Sequence, residues 1–144
     1  MTLFENRYRT HDLGLLLLRI GIGVMFTIHG YPKLMGGPEE WTQVGGAMKS
    51  VGIHFAPTFW GLMAAIAEAV GGQLLALGLF FRLACGLLLI TMLIAALMHL
   101  SAGDGFNAYS HALESTILFL SLLLIGPGRL SLDQVLFPAR RRLY

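Results

Sequence analysis

Apolar positions gather into four runs, at about residues 13–34, 58–79, 83–100 and 109–125, and polar positions mostly fall between them. Such runs read as membrane-spanning helices, because about 20 residues at ~1.5 Å rise cover a hydrocarbon core of about 30 Å. The pattern therefore predicts an all-α polytopic membrane protein, a four-helix bundle forming a single domain over residues 1–144. Gly36-Gly37-Pro38 ends the first run, and Gly126-Pro127-Gly128 ends the fourth. Asp12 is expected to cap the start of the first helix, and Pro32 to shape its exit.

Between the first two runs, Trp41, Val44, Met48 and Val51 recur at spacings of three and four. They give one apolar stripe on a short helix, with Glu40, Gln43 and Lys49 on the wetter side. That segment is expected to lie at the membrane interface or as a lid over the bundle. A second short helix is expected from about Leu130-Ser131-Leu132-Asp133.

A few ionisable residues interrupt the apolar runs: Arg19 and His29 in the first, Glu68 in the second, His99 in the third, and His111 with Glu114 in the fourth. Within hydrocarbon such groups cost several kcal/mol unless they face protein, a partner or water, which makes them functional candidates. Ala64, Ala65, Ala67, Ala69, Gly71 and Gly72 surround Glu68 with a slim face suited to tight helix packing. Glu68 stands fourteen residues before Arg82, and Glu114 fifteen before Arg129. This regularity suggests two parallel helical hairpins.

Composition agrees with a membrane setting: 56% of residues are hydrophobic and 12% charged, and the mean hydropathy is +0.70. Arg7, Arg9, Arg129, Arg140, Arg141 and Arg142 supply most of the net charge of +2 near the ends, and Arg82 lies in the middle turn. The loop after the third run has no Lys or Arg. The positive-inside rule then expects both termini, Arg82 and a tail over 126–144 in the cytoplasm, although Lys33 and Lys49 dissent. Clustered end charges need no nucleic acid to explain them. Expected partners are membrane lipid, an oxidoreductase subunit and a second copy of the chain. The first run is too long for a signal peptide and lacks a cleavage site, so it is read as retained. Cys85 is the single cysteine, read as a packing residue, so a thiol redox step would need a partner or cofactor.

With that orientation, His29, His99, His111, Glu68 and Glu114 fall at mid-membrane or in its outer half, and Arg19 in the inner half. Imidazole and carboxylate together relay protons. The histidines can alternatively ligate a metal ion or haem, or hydrogen-bond the carbonyls of a quinone. A flat ring fits the space beside Gly21, Gly23 and Phe26. The candidate catalytic set is His29, Glu68, Glu114 and His111, and the candidate cofactor-binding set is Arg19, Phe26, His29 and His99. Structural readings stand beside these: Arg19 reaching the interface or pairing with Glu68, His99 and His111 as interfacial residues, and both carboxylates as helix-locking groups.

The chain resembles the DoxX family of small bacterial four-helix membrane proteins, whose relatives include the small membrane subunit of thiosulfate:quinone oxidoreductase. The resemblance is carried by Arg19, Gly21, Phe26, His29-Gly30 and Lys33-Leu34. It continues through Glu68-Ala69-Val70-Gly71-Gly72, Leu74 to Leu79, Arg82 and Glu114, then Gly126-Pro127-Gly128 and Ser131-Leu132-Asp133. It implies four membrane helices in a bacterial inner membrane and, as in some members, association with oxidoreductases that pass electrons to quinone, other members being linked to oxidative-stress complexes. The expected function is a quinone-interacting membrane subunit or small oxidoreductase component, with a scaffold subunit and a proton-coupled solute transporter as alternatives.

Overall fold

A computed structural model of the chain describes residues 8–138, with side chains from residue 10. Its helices are α1 (Tyr8–Met35), α2 (Gly37–Gly45), α3 (Pro57–Leu77), α4 (Phe81–Ala102), α5 (Phe106–Ile125) and α6 (Leu132–Leu136), with a 3-10 turn over Gly46–Val51 after α2. The helices α1, α3, α4 and α5 are long and apolar enough to span a bilayer. The arginines at positions 7 and 140–142 lie outside the described residues, as does the side chain of Arg9.

Helices α1 and α3 approach closely because they present glycines to each other. A Cβ at Gly23 would overlap Gly72 and Ala76, and one at Gly30 would overlap the backbone of Glu68 and Ala69. The α1–α5 seam is filled by larger groups, with Phe26 and Phe119 meeting edge to face at 4.9 Å between centroids. Phe81, Cys85, Leu88, Leu75, Phe119 and Leu122 complete the interior, so Cys85 is a packing residue.

The short elements differ in what holds them. Helix α2 crosses α3 at backbone contact, since a Cβ at Gly45 would overlap Pro57 and one at Gly61 would overlap Trp41. One hydrogen bond ties the crossing, Thr42 Oγ1 with Thr58 Oγ1 at 2.6 Å, and another ties α2 to the end of α1, Trp41 Nε1 to the Lys33 carbonyl at 2.9 Å. The first loop is thus a lid seated on the bundle. At the opposite end, α6 straps the α3–α4 turn. Asp133 accepts from Phe80 N at 2.8 Å and Phe81 N at 2.9 Å, supplying the N-cap that α4 lacks locally. Phe80 sits there in the left-handed region, with φ of 44°.

Two expectations are corrected here. Helix α1 already runs from Tyr8, so Asp12 lies inside it. Its carboxylate instead accepts from Arg129 N at 2.9 Å, tying α1 to the segment after α5. Glu68 pairs with Lys33 and not with Arg19.

Candidate functional site

A cavity of about 920 Å³ lies under the α2 lid, walled by α3 and α4 and closed on one side by Lys33 of α1. Its lining is mostly apolar, with Met48, Trp60 and Met92 among the walls, and its polar groups are Lys33, Glu40, Gln43, Glu68, Thr91 and His99. Phe59 and Met63 of α3 and Leu87 and Ile90 of α4 line it while remaining exposed on the outer face of the bundle. The cavity therefore has an apolar edge turned towards lipid.

Lys33 and Glu68 form its polar centre. Lys33 Nζ lies 2.8 Å from Glu68 Oε1 and 2.7 Å from Oε2. Glu68 is 3% exposed, and it stands eleven residues into α3, about 16 Å from the start of that helix. The slim face read from the sequence is what buries it: Gly30 lets α1 lie against the backbone at Glu68, and Lys33, one turn on, reaches inward to the carboxylate. An ammonium has three N–H donors, so this arrangement leaves one for a ligand.

His99 stands at the rim of the cavity, near the end of α4. Its Nδ1 lies 2.7 Å from Asp104 Oδ2. With the carboxylate as acceptor, Nδ1 carries the hydrogen and Nε2 is left open. Trp60 lines the cavity too, and its buried Nε1 has no hydrogen-bond partner among the described residues.

The other candidate residues lie elsewhere. His29 and His111 face each other across the α1–α5 seam, ring centroids 6.4 Å apart, and both are exposed. His29 Nδ1 bonds the Met25 carbonyl at 2.8 Å, so it is again Nε2 that is open. Glu114, one turn beyond His111, is exposed and has no ion pair or hydrogen bond among the described residues. Phe26 is buried beneath the histidine pair against Phe119. Arg19 is 1% exposed at the far end of the bundle, where Nη2 donates to the Leu130 carbonyl at 2.5 Å. The structure thus brings Glu68 and His99 to one cavity and His29, His111 and Glu114 to one outer seam. No group of three or more His, Cys, Asp and Glu side chains able to hold a metal ion occurs among the described residues.

Sequence reasoning did not assign Lys33 or Trp60 to the site. Lys33 reads as a loop charge past Pro32. The available signal was a single cation one turn after Gly30, facing a single carboxylate in the slim helix that follows.

The chain has four apolar helices, a lid after the first and a strap after the fourth, and residues 14–100 match the DoxX family model. The chain belongs to the DoxX family. The matched region runs from α1 to near the end of α4, so it includes Lys33, the lid, Glu68 and His99, whereas Glu114 lies beyond it. Among curated proteins, an uncharacterized protein of Haemophilus influenzae is 33% identical over 138 residues, covering 92% of this chain and 96% of that protein. A Bacillus subtilis protein bearing the name "Putative oxidoreductase CatD" is 29% identical over 136 residues, covering 92% of this chain and 94% of its own length. No solved structure matches the chain significantly. The chain is thus a multi-pass membrane protein of the DoxX type, related to a protein named as an oxidoreductase.

Proposed function

We propose that this DoxX-family protein is a quinone-interacting membrane subunit or small oxidoreductase component, and that the quinone head group sits in the cavity under α2. The observation that carries the reading is the Lys33–Glu68 pair buried in the wall of a mostly apolar cavity whose edge faces lipid. A lipid-soluble ring with polar carbonyls matches both features, an apolar enclosure with a few convergent polar groups.

The residues divide the work. The third N–H of Lys33 donates to a carbonyl oxygen, and Glu68 holds the ammonium in place. Trp60 offers a ring face for stacking. His99, its Nδ1–H fixed by Asp104, uses Nε2 to exchange protons between the rim and the water beyond. A bound quinone supplies the two-electron, two-proton couple. Electrons come from a partner's flavin or sulfur centre, because a single buried cysteine offers no dithiol. We propose further that the protein lies in a bacterial inner membrane with the Arg82 and Arg129 end in the cytoplasm, following the distribution of arginine.

The test uses the two tryptophans, one bonded to the Lys33 carbonyl and one in the cavity wall. Titrating a short-chain ubiquinone or menaquinone into protein in lipid nanodiscs is expected to quench their fluorescence saturably. Quenching that rises only linearly with quinone would overturn the reading.

A further inference from the structure

Helix α5 buries Ala112, Ser115, Phe119 and Leu122; His111 sits on the flank of that stripe towards α1, and Glu114 and Ile117, three and six residues on, step from there onto the outer face. Glu114 is eight residues into a membrane-spanning helix, about 12 Å from its start. A carboxylate at that depth needs a partner, a proton or water, and it has no partner among the described residues. One turn back on α5 is His111, whose ring faces His29 of α1 at 6.4 Å between centroids, the latter with an open Nε2. This patch has no part in the cavity under α2.

We infer that the outer α1–α5 seam is the interface of a homodimer, in which a proton held between Glu114 of one chain and His111 or His29 of the partner subunit bonds the two, since a carboxylate and the open Nε2 of His29 are otherwise both acceptors. Self-complementarity is what selects a second copy as the occupant. An isologous contact places one patch against itself, so a patch can satisfy itself when it holds both members of the pair. This one holds a carboxylate and two imidazoles within a turn of helix. A two-fold axis along the membrane normal sets the two α5 helices parallel, with each Glu114 offset from the partner's His111 by about 4.5 Å along the axis, a gap both side chains span. Ile117, at 59% exposure, and Met25, one turn before His29 and 51% exposed, supply apolar contact around the polar pair. A partner helix of another protein would have to supply a basic group at matching depth, whereas the second copy already has it.

Disulfide trapping in native-lipid nanodiscs tests the interface. With the buried thiol removed as Cys85→Ala, Ile117→Cys is oxidised and compared with Leu93→Cys, which lies exposed on α4. The Ile117→Cys protein is expected to become mostly covalent dimer, and the Leu93→Cys protein to stay at background. Adding Glu114→Leu is expected to lower the Ile117→Cys yield at least fivefold, and His29→Ala with His111→Ala to lower it similarly, with helix content unchanged by circular dichroism. Equal trapping at the two positions, a monomer at both, or a yield that survives both sets of substitutions would overturn the inference.

Discussion

Lys33 and Glu68 are worth more as a pair than the sum of their charges, because removal of either strands the other. A carboxylate at 3% exposure without its ammonium is an uncompensated charge inside the bundle. The Lys33 side chain is about a third exposed, so water offsets part of the loss. Lys33→Met is therefore expected to cost about 2 kcal/mol, below the ~3–5 kcal/mol of a fully buried pair. Combining it with Glu68→Met removes both charges and should restore most of the stability, which thermal unfolding in nanodiscs checks. Asp133 acts by a different route. It is the only described cap for Phe80 and Phe81, and Asp133→Ala should cost about 1–2 kcal/mol by leaving two N–H donors at the start of α4 unbonded. Asp133→Asn, which can still accept one hydrogen bond, should fall between, as read from the melting temperature of the same preparation. Arg19 shows why sequence placed its role only in part. Its place towards the opposite end of α1 from His29 was legible, but its partner, the Leu130 carbonyl, lies 111 residues away in a segment whose path depends on the whole bundle.

At the scale of elements, close helix crossings decide what is buried. Helix α2 reaches α3 through Gly45 and Gly61, and a Cβ at either position overlaps backbone that cannot step aside. Gly45→Ala should therefore lift the lid from α3 and expose the 46–56 segment, seen as faster cleavage there in limited proteolysis. The apolar runs located α3 and α4 to within a few residues, since Gly78 ends one and the other follows at once. They placed the start of α5 three residues late, because Asn107 interrupts hydrophobicity without interrupting the helix that follows Gly105. The hairpin symmetry drawn from Glu68 and Glu114 matches their depth but not their surroundings. Alanine and glycine beside Glu68 admit α1 and bury the carboxylate. The α1–α5 seam is propped open by Phe26 against Phe119, and Glu114 stays on the outer face.

At the scale of the molecule, two polar centres occupy one half of the bundle and a mechanical one occupies the other. The cavity holds Lys33, Glu68 and His99, the outer seam holds His29, His111 and Glu114, and the far end is locked by Arg19, Asp12 and Asp133. Sequence read His29, His99, His111 and Glu114 near the ends of their helices and Glu68 near the middle of its own, yet it left Lys33 as a loop charge and could not divide the others between cavity and seam. Periodicity gives a residue's depth and its angle on its own helix, whereas the division depends on how the helices rotate against one another. The arginine distribution adds a whole-molecule expectation: a green fluorescent protein fused after Tyr144 should fluoresce, as it does when folded in the cytoplasm, and an alkaline phosphatase fused there should be inactive. The cavity itself is tested most directly by the tryptophan quenching titration on native protein, on Lys33→Met/Glu68→Met, and on His29→Ala/His111→Ala. Saturable quenching by quinone in the native and histidine-substituted proteins, reduced at least tenfold in affinity in the Lys33→Met/Glu68→Met protein at unchanged helix content, is the predicted result. Quenching of equal affinity in all three proteins would contradict a quinone site built on Lys33 and Glu68.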